Sequence, residues 1–253
     1  MIVVVGSSHD DVLYFEKVLY NRHDEVILNR FNVAIGMVFN QELLVITDQY
    51  SSILSSAVMT YILTKYYVDL VIVVGKCSAI DKNTKTCDIV LSSRIIDINA
   101  DFTLVKNVGI SQIPGFNREF KIQNDILGYL RQGVNKRTYV TSYNAVYFSS
   151  DNLSEEVRNV LSENRSMFGI TDERIVFDHN SSGVALACQL KDVPFVSIKV
   201  VENKLEDQEN IEAYLNVLDR YIDLGKAVIS TIGDIGRNDI LKGGVGNEYQ
   251  GKK

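Results

Sequence analysis

Seven short runs of β-branched and aliphatic residues constrain the fold of this chain more than any other feature. They are IVVVG (2–6), ELLVITD (42–48), DLVIVVG (69–75), CDIVLSSRIID (87–97), TYVTSYNAVYF (138–148), RIVFD (174–178) and PFVSIKVVE (194–202). Several are apolar without alternation, the mark of strands covered on both faces. Helical patterns lie between them: SSILSSAVMTYILTKYY (51–67), NLSEEVRNVLSE (152–163), SSGVALACQL (181–190) and a long terminal segment at 209–232. The alternation predicts an α/β fold with a mixed, largely parallel central β-sheet flanked by helices.

Length and composition narrow the setting. At 253 residues the chain is expected to form a single domain over 1–240, and the glycine-rich, apolar-poor stretch 241–253 is expected to be a flexible tail. The two prolines mark one loop with turn chemistry, QIPGF (112–116), and one strand start at Pro194. A net charge of -6 with scattered lysine and arginine argues against a nucleic-acid partner. Cys77, Cys87 and Cys188 sit in or beside apolar runs without metal-ligand spacing. They read as small reduced core residues, which with the absence of a signal-like or membrane-spanning segment predicts a cytoplasmic protein.

Ligands of open α/β sheets bind beyond the carboxyl ends of the strands. The residues that follow the runs are therefore the candidates: Ser7 to Asp11, Lys76 to Ala79, Asn144 to Tyr147, Asp178 to Asn180, and Glu202 to Asn203.

These stretches together resemble one family. VVVGSSHDDV (3–12) is similar to the opening strand and acidic loop of the nucleoside phosphorylase and nucleosidase superfamily, specifically the 5′-methylthioadenosine/S-adenosylhomocysteine nucleosidases. VDLVIVVGKCSAI (68–80) resembles its Gly-Ser-Ala-Gly strand, and CDIVLSSRIIDINADFT (87–103) with ISQIPGFNREF (110–120) resembles its Gly-Asp-Ile-Val strand and Leu-Pro-Gly loop. VFDHNSSGVALACQLKDVPFVSIKVVEN (176–203) falls on its Glu-Met-Glu-Ala helix start and Ile-Ser-Asp strand end. The resemblance implies a nucleoside phosphorylase-like fold, a pocket for a purine nucleoside or similar small molecule, no cofactor or metal, and a homodimer paired through 55–67 and the QIPGF region.

N-glycosidic hydrolysis needs an acid for the leaving base, a carboxylate for the water and contacts to the ribose hydroxyls. The resemblance places these roles at Asn203, Asp11 and Asn180, so two of three expected carboxylates are asparagine. A carboxamide cannot deliver the proton. Lys76 stands where a small serine is expected, Val146 with Tyr147 where a phenylalanine would stack on adenine, His179 where a methionine lies under the ribose, and Asp178 at an accessory glutamate.

Several of these positions are open to more than one reading from the residues alone. Asn180 and Asn203 are also ordinary caps, Asp10 and Asp11 an acidic helix start, and His179 a proton donor, a ribose contact or a buried imidazole. Lys76 either snorkels outward or enters the pocket. Asp178 is the better candidate, ahead of Glu202, for relocated acid–base chemistry. The expected function is a diverged nucleosidase-like protein with weak or absent hydrolysis. The alternative is an inactive ligand-binding or structural paralogue that pairs with itself or an active homologue.

Overall fold

A computed structural model describes residues 1–100, 102–138, 141–151, 168–170, 173–204 and 211–237. The expected helix at 152–163 and the tail at 241–253 lie outside the described residues. Among the described residues ten strands form one sheet: β1 (Ile2–Val5), β2 (Tyr20–Ile27), β3 (Phe31–Val38), β4 (Gln41–Ile46), β5 (Leu70–Ala79), β6 (Ile89–Asp97), β7 (Glu119–Lys121), β8 (Ser142–Ser149), β9 (Arg174–Asp178) and β10 (Phe195–Lys204). The described helices are α1 (His9–Lys17), α2 (Ser52–Lys65), α3 (Asn124–Thr138), α4 (Ser181–Leu190) and α5 (Ile211–Arg237).

The sheet order is β10-β6-β8-β9-β5-β1-β4-β3-β2, and β5 also pairs with β10, so the five strands from β5 to β10 close on themselves. The pairs β1–β4, β1–β5, β5–β10, β6–β8 and β8–β9 are parallel. Antiparallel pairs supply the edge β2–β3–β4 and the closures β6–β10 and β5–β9. The mixed sheet is as expected, with a larger antiparallel share than "largely parallel" conveys.

β1 and the first five residues of β5 are buried along their whole length, which explains their unbroken apolar sequence. β2 instead reads YNRHDEVI and is exposed over most of its length, as an edge strand tolerates. Ser51 caps α2 by accepting from the Leu54 N–H at 3.1 Å. Gly183 lets α4 lie on the start of α2, because a Cβ there would fall 1.9 Å from the Ser52 carbonyl oxygen. In the QIPGF loop Phe116 N–H donates to the Ile113 carbonyl at 3.0 Å and Gly115 has φ +84°, the left-handed position that follows proline in a type II turn.

Candidate functional site

The parallel register of β5 with β10 sets the site. Gly75 is paired with Lys199, Lys76 with Val200 and, past a bulge, Ser78 with Asn203. α1 enters from β1 and brings Asp11 to the same place. Asp11 is 5% exposed, and its Oδ2 accepts from the backbone N–H of Ser7 at 2.9 Å and of Ser8 at 2.8 Å. These are orphan donors of a helix start, so the acidic-cap reading of Asp11 is correct as far as it goes. Its second oxygen, Oδ1, is buried without a hydrogen-bond partner. Gly75, at φ +134°, makes room for the carboxylate: a Cβ there would sit 2.8 Å from Asp11 Oδ2.

Burial pushes the Asp11 carboxyl above the usual carboxylate range, against the pull of the Ser8 N–H and the charges of Lys199 and Lys76. Asp178, at the end of β9, shifts the opposite way. Burial raises it too, but the charge of Lys199 and hydrogen bonds from Lys199 and Ser181 outweigh burial and hold it below the usual range. Lys199 Nζ lies 2.7 Å from Asp178 Oδ2 and 2.7 Å from Asn180 Oδ1. Ser181 Oγ also donates to Asp178 Oδ2 and lies 3.0 Å from Ser197 Oγ.

Asn180 occupies the N-cap position of α4 but makes no side-chain cap hydrogen bond. It is fully buried, its oxygen is taken by Lys199, and its Nδ2 has no hydrogen-bond partner. Asn203 is half-buried on β10 and its Oδ1 is buried without a partner. Lys76 Nζ pairs with Glu202 Oε1 at 3.0 Å, both side chains partly exposed. His179 is exposed; its Nδ1 lies 2.9 Å from the Ser150 carbonyl oxygen, which makes Nδ1 the donor and leaves Nε2 unprotonated in the neutral ring.

The structure thus brings Asp11, Lys76, Asp178, Asn180 and Asn203 to adjoining strand ends, around a residue the sequence pattern passed over, Lys199. Val146 is buried in a small apolar cluster with Ile96, Phe148, Phe168, Ile175 and Phe177. Tyr147 points to the main core and donates its hydroxyl to the Val90 carbonyl at 2.8 Å. A surface cleft of about 250 Å³ lined by Phe120, Gln189 and Pro194 lies at the opposite, amino end of β10. It is remote from these groups.

Asp151 adds one constraint at the neighbouring helix. Its carboxylate accepts from the Ser52 N–H at 2.6 Å and Ser52 Oγ at 3.0 Å, so the start of α2 carries an internal anion.

The profile of the phosphorylase superfamily matches residues 1–232. This chain belongs to the phosphorylase superfamily. Among superfamily relatives, it is 19% identical over 219 residues to the 5′-methylthioadenosine/S-adenosylhomocysteine nucleosidase of Buchnera aphidicola, covering 85% of this chain and 90% of that protein. Among solved structures, a putative 5′-methylthioadenosine/S-adenosylhomocysteine nucleosidase from Borrelia burgdorferi bound to adenine superposes with a TM-score of 0.79 at 18% identity, over 92% of this chain and 99% of that one. An Asp-to-Asn mutant of a Helicobacter pylori MTAN with 5′-methylthioadenosine in the active site gives a TM-score of 0.78 at 15% identity, over 92% and 98% of the two chains. At these identities the structural likeness speaks for the shared fold.

Proposed function

We propose that this superfamily member binds a purine nucleoside at the strand ends and hydrolyses its N-glycosidic bond weakly or not at all. The observation that carries this reading is the engagement of Asp178. Its carboxylate is buried, ionised and held by Lys199 and Ser181, so it has no proton to give a leaving base. Glu202 is drawn into a pair with Lys76. Neither residue takes over the acid role that Asn203 cannot perform.

Binding fares better than chemistry. A carboxamide accepts from an exocyclic amino group and donates to a ring nitrogen, the bidentate pairing asparagine makes with adenine. Asn203 Oδ1 is buried without a partner, as an acceptor waiting for such an amino group would be. Asp11 Oδ1, a buried carboxylate oxygen without a hydrogen-bond partner, is assigned to water or a sugar hydroxyl, with Asn180 at the ribose and Lys76, Asp178 and His179 around it. Val146 and Tyr147 point to opposite faces of β8 and are packed into separate apolar clusters, so neither is assigned to stack on the base. Asp151 already fills the start of α2, which favours water over phosphate as any second substrate.

The protein is further read as one phosphorylase-like domain over 1–240, acting as a cytoplasmic homodimer. No helix among the described residues is long and apolar enough to cross a membrane. Adenine release from 5′-methylthioadenosine and S-adenosylhomocysteine, measured at high protein concentration, tests the function. The expected result is little or no release from the wild-type protein and a gain in Asn203→Asp or in the Asn180→Glu, Asn203→Asp double variant. Ready turnover by the wild type would overturn the reading.

A further inference from the structure

The buried Lys199–Asn180 contact fixes more than stability. An ammonium has donors only, so the atom of the Asn180 carboxamide that faces Lys199 Nζ at 2.7 Å is the oxygen. The amide nitrogen is thereby turned away from Lys199. Nδ2 carries two N–H groups, is buried, and has no hydrogen-bond partner, on a side chain that is itself fully buried at the β9–α4 junction. A buried donor left unpaired keeps its full desolvation penalty, so a group in this state is one that a ligand atom completes. Asp178 keeps Lys199 in place from the other side, at 2.7 Å.

We infer that Lys199 sets the hydrogen-bond polarity of the site: it turns Asn180 so that the ligand oxygen met there must be an acceptor. This rests on the nucleoside-binding reading above and specifies the ligand further. A carboxylate at this position would accept a hydrogen bond from a sugar hydroxyl, whereas Asn180 Nδ2 donates one to the hydroxyl's lone pair. The hydroxyl's own proton is then free for an acceptor, and Asp11 Oδ1 is a buried acceptor without a partner. The site therefore selects sugars bearing neutral hydroxyls and rejects sugars in which that hydroxyl is replaced by an ammonium group, which offers donors only. Lys199 acts through Asn180 and is a positioning residue.

The experiment compares adenosine with 2′-amino-2′-deoxyadenosine and 3′-amino-3′-deoxyadenosine by isothermal titration of the full chain. A pH of about 5 keeps the sugar amines largely protonated, because their electron-withdrawing neighbours lower them well below the ordinary amine value. The wild type is expected to bind adenosine at least about tenfold more tightly than one of the two amines, the scale of one lost hydrogen bond plus an unpaired donor. Asn180→Asp reverses the preference for that amine. Lys199→Arg, which still only donates, preserves the wild-type ratio. Lys199→Gln, whose carboxamide donates or accepts, lets Asn180 turn over and brings the ratio toward one.

Wild-type binding of both amines as tight as that of adenosine overturns the inference and leaves the nucleoside pocket standing. Failure of adenosine and 5′-methylthioadenosine alike to bind overturns the pocket reading and the inference with it. Should Lys199→Gln fail to fold, Asn180→Asp decides: it keeps Lys199, and a preference for adenosine over the amine left unchanged in it overturns the inference.

Discussion

Lys199 Nζ and Asp178 Oδ2 form an ion pair at 2.7 Å with both side chains 1% exposed. Removing one partner of a buried pair strands the other charge, which typically costs about 3–5 kcal/mol. Lys199→Met is therefore expected to lower the unfolding midpoint sharply in urea titration. Adding Asp178→Asn to that variant recovers most of the loss, because no charge is then left unpaired.

The same pair dictates a pH dependence. The native Asp178 carboxyl lies below its ordinary value, so the native state binds fewer protons there than the unfolded chain. Its contribution is fully present above the unfolded pKa of about 3.9 and is lost as pH falls through the lower native value. In Lys199→Met the direction inverts: the unpaired buried carboxyl titrates above its unfolded value, and the variant gains stability relative to wild type as pH falls from 7 toward 4. Thermal melts across that range, with wild type alongside, measure the crossover.

Asp11 predicts a gain from losing a charge. Burial raises its pKa, so ionising it in the folded state opposes folding at neutral pH, and that cost disappears as pH falls through the raised value. Asparagine keeps an oxygen for the Ser7 and Ser8 N–H groups. Asp11→Asn is expected to melt higher than wild type at pH 7–8, with the gain shrinking toward pH 4. For a domain of this size each kcal/mol corresponds to about 2–4 °C. The residual adenine release of an Asn203→Asp background should fall in the same substitution, because the carboxylate assigned to the water is gone. A lower melting point at neutral pH would contradict the assignment of a stability cost to this carboxylate.

Gly75 couples backbone conformation to that carboxylate. At φ +134° a side chain is strained, and a Cβ would sit 2.8 Å from Asp11 Oδ2. Gly75→Ala is expected to displace Asp11 and destabilise the fold by at least about 1–3 kcal/mol. Nucleoside-induced stabilisation should be lost at temperatures where the variant is still folded.

Which parts of this were legible in the sequence follows from where burial leaves a mark. β1, β5 and β10 are covered on both faces and announce themselves as unbroken apolar runs, and the Pro114-Gly115 turn and the start of β10 after Pro194 are written in turn chemistry. β2 leaves no apolar mark because it is an exposed polar edge, and β3, FNVAIGMV, is mostly buried but its run is interrupted by Asn32 and Gly36. α3, NDILGYLRQGVNKRT, is broken up by Gly128 and Gly133, the second of which is needed against Thr231, where a Cβ would lie 2.3 Å from Oγ1. TYVTSYNAVYF reads as one strand, whereas Thr138 closes α3 and β8 begins at Ser142.

The site divides along similar lines. Asp11, Asp178, Asn180 and Asn203 are strand-end residues and are found by position alone. Lys199 sits inside FVSIKVV and was absorbed into the apolar run around it. A lysine within an otherwise apolar strand is the signal that was available. Its partners, 19 and 21 residues away across the α4 crossover, are visible only in three dimensions.

The last prediction concerns the proposed homodimer. α2 is apolar on more than its core-facing side: Val58, Met59 and Ile62 are buried while Ile53 is 78% exposed, and Tyr50 just before the helix is 58% exposed. Asn99 Nδ2 donates to Ser52 Oγ at 3.4 Å, which ties the segment after β6 to the start of this helix. That segment carries Phe102, Leu104 and Val105, all exposed. Large apolar side chains gathered in this way mark an interaction surface, and isolated ones do not. A stable homodimer buries roughly 800 Å² or more per partner around such a core. Sedimentation equilibrium should give a dimer for the wild type and a monomer for an Ile53→Glu, Leu104→Glu double variant, with far-ultraviolet circular dichroism unchanged. A monomeric wild type at concentrations of about 10 µM or more would remove this surface as a self-association site, since an interface of that size holds at micromolar Kd or tighter.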